Sequence, residues 1–148
     1  MAKTTWPQKV GVYFLWILVC ALGAWVFVMV RHALSNGMDV FYIRKIITHS
    51  WRAGAWDRLY IVVAGLGYLV YIFVVQWYLD DGLATHTLLR RAARVAGIEL
   101  LIIFFSDLFT QLIRQAFFNQ IGPILLVAEL LVGGGLLFYS LRTKTVSR

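Results

Sequence analysis

Apolar residues run along the chain in four long blocks, at 11–30, 59–79, 95–113 and 121–141, with polar stretches between them. Each block is close to the ~20 residues that a helix needs to cross about 30 Å of hydrocarbon. Lipid offers no partner to a bare backbone N–H or C=O, so a spanning segment must be a helix or part of a closed barrel. A barrel strand alternates apolar and polar positions, whereas these blocks are continuous. The pattern predicts an all-α, polytopic membrane protein with four transmembrane helices in one domain over 1–148.

Composition agrees. The chain has 148 residues, of which 61% are hydrophobic and 14% charged, with a mean hydropathy of +0.76. A soluble domain is roughly 45–50% apolar and about 25% charged. Lys3 and Lys9 precede the first block as in a secretory leader. A leader's apolar region is about 7–15 residues, however, and is followed by a small-residue cleavage signal that is missing here. The first block therefore reads as a retained helix, with the single Cys20 as a packing residue.

The connections carry their own patterns. Over 39–52, Arg44, Lys45, Thr48, His49 and Arg52 share one helical face, and Val40, Ile43, Ile46, Ile47 and Trp51 lie largely opposite. This predicts an amphipathic interfacial helix between the first two spans, with Trp51 and Trp56 as anchors. In the second connection Gly82 is placed to end the second helix and Asp81 or Thr85 to cap the third. Arg90, Arg91 and Arg94 follow at the depth of the headgroups, where long cationic side chains snorkel. Together with Arg44, Lys45 and Arg52 they are the residues placed to meet lipid headgroups or an acidic partner. The third connection is short and turns at Asn119, Gln120, Gly122 and Pro123, which pairs the last two spans as an antiparallel hairpin.

Charge gives an orientation. Lys3, Lys9, Arg90, Arg91, Arg94, Arg142, Lys144 and Arg148 fall on the face that holds both termini. Arg31, Arg44, Lys45, Arg52, Arg58 and Arg114 fall on the other, and the excess predicts cytoplasmic termini.

The candidate chemistry is a set of polar residues inside the last two spans. Glu99, Ser106, Asp107, Thr110, Gln111 and Arg114 fall within one wedge of about 140° on the third helix. Gly122, Glu129, Gly133 and Ser140 fall within about 40° on the fourth. A charge near the midplane costs roughly 2.5–3.5 kcal/mol if it faces lipid, so both stripes are expected to face protein. With the third span centred near Phe104 and the fourth near Leu131, Asp107 and Glu129 are expected at one level, roughly 3–5 Å from the bilayer centre. Glu99, one turn from the basic cluster, is expected near the surface in reach of water or Arg142.

Three arrangements make two deep carboxyls tolerable. One stays protonated, since a dry surrounding and a like neighbour both disfavour the anion; or Asp107 pairs with Arg114; or another subunit supplies the countercharge. Tyr68 and Tyr71 on the second helix are expected to lend hydroxyls. The bland alternative is a satisfied polar seam that holds the bundle together.

Other chemistry finds little support. His32 and His49 lie on one membrane face and His86 on the other, so no pair of histidines is placed to hold a haem. No Cys/His spacing suggests a metal, Gly133-Gly134-Gly135 sits inside a span without the lysine of a phosphate loop, and no nucleophile stands beside a base. No cofactor is implied, and an enzyme is not favoured. The net charge of +7 is divided between two membrane faces and makes no nucleic-acid stripe. The expected function is an accessory or assembly subunit of a larger membrane complex, energy-transducing or transporting, that uses the polar stripe to meet other subunits. A homo-oligomeric proton- or cation-coupled carrier or channel, with Asp107 and Glu129 binding the ion, is the alternative. A regulator that binds anionic lipid is the third.

Overall fold

The structure is a computed structural model that describes residues 6–43, 50–114 and 121–142. Four α-helices make it up: α1 (Trp6–Ile43), α2 (Ser50–Ala84), α3 (Leu88–Arg114) and α4 (Ile121–Arg142). Within them the stretches Lys9–Met38, Gly54–Leu83, Leu88–Ile113 and Gly122–Arg142 are long and apolar enough to cross a membrane. This is the pattern of a multi-pass integral membrane protein. Pro7 and Pro123 both lie in the first turn of a helix, where the missing N–H breaks no intrahelical bond.

The helices are longer than the apolar blocks. With 38 residues α1 extends about 57 Å at 1.5 Å per residue, far beyond the hydrocarbon layer. The separate interfacial helix expected over 39–52 is not among the elements. Residues 39–43 complete α1, and 50–52 open α2. Residues 44–49, and with them Arg44 and Lys45, lie outside the described residues, as does the side chain of Arg52. Extending an existing helix adds one hydrogen bond per residue fixed, whereas a new helix must be nucleated afresh.

α3 is the hub, packing against α1, α2 and α4, while α1 also packs on α2. The α3–α4 contact is the most extensive and passes through glycine. A methyl group on Gly97 would stand 3.0 Å from the carbonyl oxygen of Gly133 and 2.9 Å from Leu137. Such backbone approach is how membrane helices gain packing in the absence of a hydrophobic drive between them.

α1 and α2 run antiparallel. Trp16 Nε1 donates to the carbonyl of Ile72, the Tyr68 hydroxyl to Cys20 and the Tyr60 hydroxyl to Phe27. Arg31 closes the series with a two-pronged ion pair to Asp57, both N···O distances 2.9 Å. The partners step up α1 as they step down α2, to within one residue. Tyr60 and Tyr68 of α2 thus use spare lone pairs of α1 carbonyls, Trp16 of α1 uses one of α2, and among the described residues no buried side-chain donor along this seam is left over.

The turn between α2 and α3 corrects the expected stop signal. His86, not Gly82, takes the left-handed conformation, with φ of 54°. Its N–H reaches the Leu83 carbonyl, and the Thr87 N–H reaches that of Gly82 at 2.8 Å. These two bonds define a Schellman stop with His86 one residue past the cap. Thr87 then opens α3, its carbonyl accepting from the Arg91 N–H. Gly82 stays helical and permits close approach, since a methyl there would stand 2.8 Å from Arg91 Cδ.

A buried apolar cluster of Val12, Val19, Val75, Leu79 and Ala92 seals the half of the bundle nearer the α2–α3 turn. In the other half α1, α2 and α3 diverge around a cleft.

Candidate functional site: a carboxyl group at the floor of an intramembrane cleft

The cleft has a volume of about 390 Å³. α1 contributes Gly23, Val26, Phe27 and Val30; α2 contributes Tyr60, Ala64, Gly67, Tyr68 and Tyr71; α3 contributes Val95, Ile98, Glu99 and Ile102. Phe27 stacks on Tyr60 with ring centroids 5.4 Å apart, and Tyr68 on Tyr71 at 6.0 Å. The walls are therefore aromatic and aliphatic. Glu99 is the one carboxyl among the lining residues.

Glu99 is also the most deeply placed acid among the described residues. It is 5% exposed, and its carboxylate accepts a hydrogen bond from the Tyr71 hydroxyl. Tyr71 packs against the sealed apolar cluster, so the pair stands where that cluster ends and the cleft begins. Oε1 rests over Gly23, where a methyl would come within 2.7 Å of it. Oε2 is buried with no hydrogen-bond partner.

This overturns the expected surface position of Glu99. Its partner is Tyr71 rather than Arg142, whose guanidinium lies over the ring of Phe138 at 5.7 Å. The cause is packing: Oε1 rests over Gly23 and accepts from Tyr71, so α1 and α2 cover the face of α3 that carries Glu99.

The rest of the stripe divides, because α3 has neighbours on three sides. Ser106 and Thr110 turn their hydroxyls back to their own helix, to the carbonyls of Ile102 and Ser106. Asp107, Gln111 and Glu129 belong to the α3–α4 seam. Gln111 lies against Gly122, about 3 Å from where a methyl there would stand. Asp107 and Glu129 are both half-buried. Gly133 meets Gly97 and Leu100 while Gly122 meets Gln111, a register that sets Glu129 opposite Phe104, about one turn from Asp107. Gln111 Oε1 and Glu129 Oε2 are buried without a hydrogen-bond partner. The side chain of Arg114 lies outside the described residues.

Tyr68 and Tyr71 serve a different end from the one expected. Neither serves Asp107 or Glu129: Tyr68 bonds the Cys20 carbonyl and Tyr71 bonds Glu99. Gly23 and Phe27 were not singled out by sequence. The signal that was available is a small residue inside the first apolar block, of the kind that lets membrane helices approach closely.

The arginines divide as well. Arg91 pairs with Asp81, donates to the Tyr78 carbonyl at 2.9 Å and to Thr87 at 3.1 Å, and lies 4.8 Å over the Tyr78 ring. It clamps the α2–α3 turn. Arg90, Arg91 and Arg94 also line a recess of about 320 Å³ with Tyr78, Thr85 and Thr87. Among the described residues no group of three or more His, Cys, Asp or Glu is placed to hold a metal.

No protein family model, curated protein or solved structure matches this chain.

Proposed function

We propose that this chain is a membrane-embedded proton- or cation-coupled carrier in which Glu99 is the exchanging carboxyl. One observation carries the reading: a 95% buried carboxylate inside a helix long and apolar enough to cross a membrane, with one oxygen unpartnered, in the wall of a cleft. An ionisable group in a membrane span is expensive and by default marks a functional site. A purely structural glutamate would have both oxygens satisfied, because an orphaned acceptor costs about 1–3 kcal/mol or more. The Tyr71 bond fixes the carboxyl without neutralising it, which suits a group that alternates between proton and cation. The excess of basic residues on the terminal face supports termini in the cytoplasm.

The test is flux in proteoliposomes. With a potassium-diffusion potential imposed and a pH-sensitive dye inside, the native protein is expected to move protons or to exchange them for a cation. Glu99→Gln, which keeps the shape and a partner for Tyr71, is expected to abolish that flux with folding intact. Flux unchanged in Glu99→Gln, or none in the native protein, overturns the reading.

A second reading has its own observation. Glu129 Oε2 and Gln111 Oε1, both buried and unpartnered on the α3–α4 seam, favour an accessory or assembly subunit whose partner supplies the missing donors. Extraction from native membranes in mild detergent tests it. Stoichiometric foreign subunits, lost in Glu129→Gln or Asp107→Asn, support it; a lone chain or pure homo-oligomer removes it.

A further inference from the structure

We propose that the cleft between α1, α2 and α3 binds a lipophilic organic ammonium ion, its nitrogen against Glu99 and its apolar body between Phe27, Tyr60 and Tyr68. This deepens the carrier reading by naming a substrate class, and rests on Glu99 being the exchanging carboxyl.

The inventory of polar valences makes the argument. The hydroxyl hydrogens of Tyr60, Tyr68 and Tyr71 are all committed, to the Phe27 carbonyl, the Cys20 carbonyl and Glu99. Among the described residues no donor in the cleft is left for Glu99 Oε2. An occupant must therefore bring a donor or a positive charge to that one oxygen and be apolar elsewhere. The three tyrosines, held rigid by these bonds, present ring faces, and aromatic faces attract ammonium groups more strongly where water is absent.

The same inventory excludes competitors. An inorganic cation needs several oxygens to replace its hydration shell; one carboxylate offers too few. A zwitterionic headgroup brings a phosphate, and no Lys, Arg or His lines the cleft among the described residues. A neutral lipid chain fills the volume but leaves Oε2 unpaired. Oε2 is shielded, so docking swings the carboxyl toward the cleft it lines; the terminal torsion of a glutamate is broad enough to allow this.

The test compares two molecules of one shape. Benzyldimethylammonium carries N–H⁺ where isobutylbenzene carries C–H. Equilibrium dialysis of each, radiolabelled, against the protein in phosphatidylcholine nanodiscs, with empty discs subtracted, reads specific binding. The ammonium is expected to bind saturably at one site per chain, and the neutral analogue not. Glu99→Gln is expected to weaken the ammonium roughly 10- to 100-fold, the loss of one charge-assisted hydrogen bond. Ala64→Phe, which fills the cleft and leaves Glu99 in place, is expected to block it with helicity and melting unchanged. Equal binding of both molecules, or indifference to Glu99→Gln and Ala64→Phe, overturns the inference. Glu99-dependent proton flux with no ammonium binding overturns it and leaves the carrier standing. Glu99-dependent binding without flux sustains the site and removes the carrier.

Discussion

Gly23 of α1 leaves the space that the Glu99 carboxyl of α3 occupies. A methyl on its α-carbon would stand 2.7 Å from Glu99 Oε1 and 2.8 Å from Tyr71 Cε1, closer than side-chain carbons approach. The crossing of α1 and α3 and the geometry of the Tyr71–Glu99 bond are thereby tied to one missing side chain.

Gly23→Ala is expected to lower stability by about 1–3 kcal/mol, the usual cost of overpacking a fitted contact. It is also expected to abolish any Glu99-dependent activity, because the carboxyl is displaced from Tyr71. Unfolding in mixed micelles alongside the flux assay checks both; stability within 0.5 kcal/mol (about the scatter of a neutral surface change) would contradict the packing.

Tyr71→Phe keeps the ring and removes the donor. Glu99 is then left with two unpartnered oxygens, at an expected cost of about 1–3 kcal/mol. In Glu99→Leu the acceptor is gone, so adding Tyr71→Phe is expected to cost much less than it does alone. Additive losses in that double-mutant cycle would show that the two side chains do not interact.

His86 holds a left-handed conformation that costs most L-residues roughly 1–2 kcal/mol. His86→Gly is expected to be neutral or stabilising, and His86→Val, branched at Cβ, to destabilise by about 1 kcal/mol or more. Thermal melts of the three proteins decide it, and a harmless valine would contradict the Schellman stop.

The arginines of α3 are expected to separate. Arg90→Gln with Arg94→Gln weakens association with anionic lipid, roughly 1 kcal/mol per cation near the surface, without changing the melt. Arg91→Gln lowers the melt instead, since Arg91 holds Asp81, the Tyr78 carbonyl and Thr87. Lipid co-purification by mass spectrometry with parallel melts reads the difference; equal behaviour of the three variants contradicts it.

The sequence by itself determined that the chain is helical, that four helices are long and apolar enough to cross a membrane, and that α3 and α4 pair antiparallel; the turn expected at Asn119 and Gln120 lies outside the described residues. Backbone hydrogen bonds close within a helix, and hydrophobic length is counted residue by residue, so both are local quantities. It also put Glu99 in the polar stripe of α3, near the surface, and Tyr68 and Tyr71 on α2 as hydroxyl donors. Their grouping was decided only in three dimensions. Counting apolar residues left Glu99 open to water near Arg90, Arg91 and Arg94, whereas Gly23 of α1 and Tyr71 of α2 cover it. The wedge that held Glu99 and Asp107 together on a helical wheel faces α1 and α2 on one side and α4 on the other. Which neighbour takes which flank depends on where backbones approach most closely, and Gly23 and Gly97 set that. A helix's rotation and tilt are fixed by the helices packed against it, a pairwise property that no single segment contains.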